Sequence, residues 1–254
     1  MPTLTEARHW LDRWDRQQEF YVADREERFA VIADVVAASA DGVEPVVVDL
    51  GCGPGSLSVR LLDRLPGARV VAVDADPLLL GLARVAYADR PGLQIVEHDL
   101  RDAGWADAVG VRPGTVDAIV STTALHWLTR TELSALYRSC ADLLRPGGVL
   151  IDGDHLDEPA DRPRLRTLTR SVRDARAARV RTGDAEDWRS WWDAVAAAPE
   201  LEQFATERGV RPIEHAVPDT PTVADHGALL HAAGFAEVGT VWQVGDDRVL
   251  VGVR

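Results

Sequence analysis

The sequence predicts an α/β fold, a mostly parallel sheet wound with helices on both faces. Three observations carry this. Short runs rich in valine and isoleucine recur between residues 46 and 151, and segments of helical periodicity separate them. The 254 residues, 46% of them hydrophobic, are enough for one large core.

The first forty residues read as two helices. Thr5 caps a segment carrying Trp10, Leu11 and Trp14, and Asp24 precedes one with Phe29, Ile32, Ala33, Val36 and Ala37 at helical spacing. Strands follow at Val46–Leu50, Arg69–Val73, Gln94–Val96, Val116–Val120 and Val149–Ile151. Between them, Ser56–Arg64, Pro77–Ala88 and Thr131–Leu144 have the period of helices, so the units are βαβ. After Asp154 the alternation stops. Residues 159–210 read as helical, with Leu165, Leu168, Val172 and Ala175 as one apolar stripe, then Trp188–Ala197 and Pro199–Gly209. A helix over Thr222–Ala233 ends at Gly234, and Glu237–Val244 and Arg248–Val253 form a hairpin around Gly245-Asp246-Asp247. The expected organisation is one domain over 1–254. It comprises an N-terminal helical cap (1–40), a sheet core (45–155 and 213–254) and a helical substrate lid (156–212).

Charge and composition remove several function classes. With 41 acidic and 28 basic residues the net charge is −13, which argues against a nucleic-acid partner. There is no lysine, so Schiff-base chemistry, a P-loop lysine and a kinase-type strand lysine are excluded. Cys52 and Cys140 are too few and too far apart for a disulfide framework or a cysteine-rich zinc site, and suit a reducing compartment. Without an apolar signal core or a run near the roughly 20 residues of a membrane span, the expectation is a soluble, cytoplasmic protein.

The strongest signal is Val46-Val47-Val48-Asp49-Leu50-Gly51-Cys52-Gly53-Pro54-Gly55-Ser56. A buried strand turns into a helix through alternating glycines, which permit unusual backbone conformations and close approach of a ligand. The helix N-terminus beyond them offers N–H groups to an anion. A branched side chain at Gly53 is expected to block that approach. The spacing G-x-G-x-G differs from the G-x-G-x-x-G of nicotinamide sites, and so disfavours an oxidoreductase. Asp74 ends the second strand, where a carboxylate can accept ribose hydroxyls, and Asp99 follows the third, where one can accept an adenine amino group.

Together with Leu143-Leu144-Arg145-Pro146-Gly147-Gly148-Val149, these motifs resemble the class I S-adenosylmethionine-dependent methyltransferases over residues 45–155 and the terminal hairpin. The resemblance implies a Rossmann-like, doubly wound, seven-stranded sheet whose last strand is antiparallel. It implies S-adenosyl-L-methionine as cofactor, with contacts at Asp49, Gly51, Gly53, Asp74, Ala75, Asp99, Leu100 and, after the fourth strand, Thr122. An N-terminal helix would close over the methionyl end, with Tyr21 and Arg25 either contacting it or remaining surface residues. No metal is expected: Asp152, Asp154 and His155 alone are a weak ligand set.

Ser121-Thr122-Thr123-Ala124-Leu125-His126-Trp127-Leu128 resembles the turn of small-acid methyltransferases such as those esterifying trans-aconitate, with Thr122 where asparagine is usual. The expected acceptor is a small molecule, O-methylated on a carboxylate or hydroxyl. N- or C-methylation, or a non-catalytic partner protein of the same fold, are the rivals. His126 is the first catalytic candidate, as a base or as an orienting group, and its other role is to fix the turn. His155 is the second. Trp127 and the closely spaced Trp188, Trp191 and Trp192 are candidates for an aromatic acceptor surface, the last three also for simple packing. Arg166 and Arg170 could orient a carboxylate. The oligomeric state is expected to be a monomer or homodimer.

Overall fold

A computed structural model describes residues 1–180, 186–210 and 220–254. Its strands are β1 Val46–Leu50, β2 Arg69–Asp74, β3 Leu93–Glu97, β4 Val116–Thr122, β5 Leu144–His155, β6 Glu237–Val244 and β7 Asp247–Val253. They form one sheet in the order β3-β2-β1-β4-β5-β7-β6. The first five are parallel, and β7 runs antiparallel to both its neighbours. The order reverses between β1 and β4, which opens a crevice at their carboxyl ends, the usual ligand position in such sheets.

Both faces are covered. Helices α2 (Arg25–Ser39) and α3 (Ser56–Arg64) bury Phe29, Ile32, Val36, Leu57 and Leu61 against Val47, Val70 and Ala118. On the other face α6 (Arg130–Leu143) and α10 (Val223–Ala232) pack Leu133, Leu136, Tyr137 and Leu230 with Val48, Ile119 and Leu150. Between β2 and β3 lies α4 (Pro77–Ala86), and before β4 the single turn α5 (Trp105–Ala108).

Several boundaries differ from the sequence expectation, two of them for clear local reasons. Helix α1 spans Leu4–Tyr21 with Thr3, not Thr5, as its cap. Thr3 has Glu6 three residues on, whose carboxylate accepts the Thr3 amide at 2.7 Å, whereas Thr5 has Arg8 there and cannot close a capping box. Strand β5 begins at Leu144 rather than Val149. The pairing jumps from Val116↔Leu144 to Ala118↔Val149, so Arg145–Gly148 bulges, and Arg145 pins the bulge by donating to Asp117 at 2.8 Å.

The segment after β5 carries α7 (Pro163–Val180), α8 (Trp188–Ala197), a 3₁₀ turn (Pro199–Leu201) and α9 (Glu202–Gly209). Its first helix is turned the opposite way from its hydrophobicity. Leu165, Leu168 and Val172 face outward, Leu168 at 61% exposure, while arginines make the inward contacts. Arg166 and Arg170 are fastened to Asp157, Arg173 to Asp246 at 2.8 Å and Arg176 to Asp24 at 2.7 Å. The other two helices pack by side-chain shape. Trp191 of α8 sits edge-on to Trp10 and Trp14 of α1, and Phe204 of α9 covers Gly81 of α4 so closely that a Cβ there would lie 2.8 Å from the ring. The expected boundary at 212/213 lies outside the described residues. Among them, no helix is long and apolar enough to cross a membrane.

Strand β1 buries one charge-bearing side chain. Asp49 is fully buried, its Oδ2 accepts from Ser58 Oγ at 2.6 Å, and its Oδ1 has no partner. Burial pushes its pKa up to about 7 against the Ser58 hydrogen bond. The folded protein therefore holds a proton that the unfolded chain, with an aspartate pKa near ~3.9, has already released. Stability from this group is greatest below about pH 4 and falls as pH rises toward 7. Asp49→Asn should melt progressively higher than the wild type across that window and stay higher above it. A melting-temperature difference that does not change with pH would contradict this.

Candidate active site

At the β1/β4 crevice lies a cavity of about 740 Å³. Its floor is the glycine loop. Gly51, Gly53 and Gly55 all have positive φ, and the Cys52 amide donates to Val73 O at 3.0 Å, tying the loop to β2. Asp74, at the end of β2, accepts the amide of Gly53 at 2.7 Å through one oxygen and that of Asp76 at 2.8 Å through the other. Burial raises its pKa to about 6, and those two amides oppose the rise. Gly51 is the tightest point: a Cβ there would lie 2.3 Å from Ala124 Cβ, in the turn that follows β4. Gly53 has room on the protein side, with nothing closer than 3.9 Å to its would-be Cβ.

From the other side the cavity is closed by α1 and α8. Trp14, Tyr21, Trp188 and Trp192 line it, and the Trp188 amide donates to Tyr21 Oη at 3.2 Å. Arg25, also in the lining, pairs with Asp15 at 2.9 Å.

Across the cavity from the aspartate of β2, the ends of β4 and β5 bring Thr122, His126, Trp127, Asp154 and His155 together. His126 Nδ1 bonds Asp154 Oδ2 at 2.7 Å. Burial disfavours the charged imidazole, but the adjacent Asp154 carboxylate outweighs burial and raises the His126 pKa. Asp154 is itself buried, yet His126 and Arg28 hold its pKa well below the usual carboxylate range. Asp154 thus favours the charged form of the His126 imidazole, and Nε2 is the ring nitrogen not engaged by Asp154. His155 is different: burial and Arg28 push its pKa down to about 4, so it is neutral at ordinary pH.

Arg28 organises this end from behind. Fully buried on α2, it donates to Thr122 Oγ1 at 3.2 Å and to Gly153 O at 2.9 Å, and pairs with Asp247 of β7. A Cβ on Gly153 would lie 2.8 Å from Arg28 Cδ, so the glycine makes room for the arginine.

Of the residues singled out in the sequence, Tyr21, Arg25, Gly51, Gly53, Asp74 and Thr122 line the cavity, as do His126, Trp127, His155, Trp188 and Trp192. Others lie elsewhere. Asp49 is beneath the loop on Ser58. Ala75 and Leu100 are outside the lining, and Asp99 is occupied by Arg101, whose amide it accepts at 2.9 Å. Trp191 is fully buried among Trp10, Trp14 and Trp192 and packs α8 rather than facing a ligand. Arg166 and Arg170, both on Asp157, point no charge into the cavity. Sequence reasoning missed Arg28, although a charged residue within the apolar stripe of Phe29, Ile32 and Val36 was a visible sign of a buried partner. Among the described residues, no three His, Cys, Asp or Glu side chains converge as metal ligands.

Residues 47–148 match a family described as a methyltransferase domain. They span β1 to the bulge of β5, the part of the sheet that carries the glycine loop and Asp74. Over those residues the chain is similar to a methyltransferase domain. It is 39% identical over 156 residues to a trans-aconitate 2-methyltransferase of Azoarcus sp., covering 60% of this chain and 55% of that protein. A trans-aconitate 2-methyltransferase of Mycobacterium tuberculosis is 43% identical over 101 residues, 40% of this chain and 33% of that one. The matches thus span about half or less of these relatives' length. Human N-acetylserotonin methyltransferase, solved with S-adenosylmethionine, shares the fold at a TM-score of 0.56 and 17% identity, covering 95% of this chain and 56% of that chain. The methyltransferase fold therefore extends beyond the matched segment to the terminal hairpin.

Proposed function

We propose that this chain methylates a carboxylate oxygen of a small acid, using S-adenosylmethionine, with residues 156–212 serving as the acceptor lid. The observation that carries the reading is the His126–Asp154 pair, in which the carboxylate favours a charged imidazole beside the cavity. The relatives named for trans-aconitate support the same substrate type.

The cavity fits the cofactor. Its glycine floor offers backbone unobstructed by side chains at Gly53, Asp74 faces it, and the indole N–H of Trp192 is buried there without a protein partner. Bound there, the cofactor supplies a methyl group on a positively charged sulfur. Asp74 would take the ribose hydroxyls, and the loop amides and the start of α3 would take the carboxylate. A carboxylate acceptor is ionised at neutral pH and needs no base. His126 then orients it by donating from Nε2, and Asp154 holds the ring and its charge. Thr122, fixed by Arg28, borders the same space. Catalysis of this kind rests on positioning.

A second reading shares the geometry: the same pair could serve as a general base toward a hydroxyl. The pH profile separates them by sign. If the imidazolium orients a carboxylate, then with S-adenosylmethionine saturating and the acid ionised, kcat/KM for the acceptor falls as pH rises through the elevated His126 pKa. If neutral His126 is a base, kcat/KM rises through the same point. The expected result is the fall, with His126→Ala flattening it and raising KM roughly 10- to 100-fold for loss of a charged hydrogen bond. A rising profile, or a loss confined to kcat, would establish the base instead.

A further inference from the structure

The relatives are named for a compact acid with three carboxylates, but the lining of this cavity is poorly charged for one. Among the described residues its basic side chains are Arg25, Arg101, His126 and His155. Arg25 faces Asp15, and Arg101 faces Asp99 at 3.4 Å and Glu132 at 3.7 Å. The neutral His155 adds no charge at ordinary pH. The lining also includes the carboxylates of Asp74, Asp76 and Asp154. A second and third acceptor carboxylate would enter a partly buried space whose described cations already face acids, and unpaired buried charge is costly. Four of the α7 arginines, Arg166, Arg170, Arg173 and Arg176, are paired with Asp157, Asp246 and Asp24 outside the lining.

What the cavity does offer is aromatic surface. Tyr21, Trp127 and Trp188 all line it, yet remain 44%, 37% and 45% exposed. Large rings left half in water around one cavity mark a surface that a ligand covers. Trp188 is braced rather than loose: its ring packs edge-on to Trp192 at 5.8 Å, and its amide is held by Tyr21 Oη. Two buried polar atoms of the lining residues, His155 Nε2 and Trp192 Nε1, have no protein partner. They suit neutral polar groups, such as those of the cofactor or one substituent on an acceptor.

Building on the carboxylate reading, we propose that the acceptor is a monocarboxylic acid with a planar, aromatic-sized body rather than a compact polycarboxylate. Its single carboxylate meets His126, and its ring is covered by Tyr21, Trp127 and Trp188. The transfer balances simply: a carboxylate oxygen forms the new bond to the methyl carbon as the carbon–sulfur bond breaks, and the sulfur leaves uncharged.

The test offers the full chain S-adenosylmethionine with trans-cinnamate, trans-aconitate or catechol in separate reactions, and products are identified by mass spectrometry. Cofactor binding is measured separately by calorimetry. Methyl cinnamate should form with kcat/KM roughly tenfold or more above that for trans-aconitate. Trp188→Ala should raise KM for cinnamate about tenfold, and Trp188→Phe, which keeps a ring, much less. A preference for trans-aconitate overturns the proposal and leaves carboxylate methylation standing. Methylation of catechol with neither acid used overturns both. A protein that binds the cofactor but forms no methyl cinnamate, or an unchanged KM in Trp188→Ala, also overturns the proposal.

Discussion

Gly51→Ala should lower the melting temperature more than any other single-methyl addition in the loop, and weaken S-adenosylmethionine binding with it. Gly51 has φ +65°, a left-handed conformation that costs an ordinary residue about 1–2 kcal/mol. The added Cβ would sit 2.3 Å from Ala124 Cβ, so either the loop or the turn after β4 must move. Overpacking of that kind costs about 1–3 kcal/mol more. The turn also carries His126 and Trp127, so the damage reaches the acceptor end as well as the cofactor end. Gly53→Ala is the control. It has a similar φ of +54° but no neighbour within 3.9 Å, so it should lose only the conformational part. Equal melting temperatures for the two variants would show that the contact with Ala124 is not a constraint.

Asp74→Ala should weaken cofactor binding roughly 10- to 100-fold, since a charge-assisted contact to hydroxyls is worth about 1.5–3 kcal/mol. Part of that loss arises before any ligand arrives, because both Asp74 oxygens already order the loop by accepting the amides of Gly53 and Asp76. Asp74→Asn should therefore recover some melting temperature without recovering full affinity. The raised pKa, about 6, adds a pH signature. Affinity should fall as the solution is taken below pH 6 and Asp74 gains a proton, and the alanine variant should lack that fall. Calorimetry giving wild-type affinity for Asp74→Ala would remove this residue from the cofactor site.

Much of the fold was legible because βαβ units write their period plainly. The valine runs gave β1, β2 and β4 to within two residues, and α3 falls on Ser56–Arg64 as expected. The terminal hairpin followed from Gly245 and its flanking strands. The glycine loop and Asp74 were readable for a different reason: a ligand that approaches backbone leaves glycines in sequence order. The His126 end of the cavity was harder, since its members come from residues 28, 122, 126, 154 and 247 and meet only through the sheet. Helix α7 shows where periodicity stops being informative. Its stripe of Leu165, Leu168 and Val172 has helical spacing, yet four arginines paired with Asp157, Asp246 and Asp24 decide which face turns inward. Trp191 makes the same point, since spacing alone could not separate a packed tryptophan from the lining pair Trp188 and Trp192.

The buried pair of Arg28 and Asp247 has a consequence for how the molecule is made. Residues 28 and 247 are separated by almost the whole described chain, and Arg28 cannot reach its settled place until β7 has been added beside β5. A ribosome releases the glycine loop and the first strands long before it releases that hairpin, and contacts so distant in sequence form late. During that interval the Arg28 guanidinium lacks its Asp247 partner, and the clamp it makes on Thr122 and Gly153 O at the ends of β4 and β5 is incomplete. The glycine loop is thus a local product of early synthesis, whereas the wall that carries Thr122 and Asp154 is completed only when the last hairpin closes the sheet. A nascent or truncated chain stopping short of β7 would have the glycine loop in place but not the Arg28 clamp on the opposite wall.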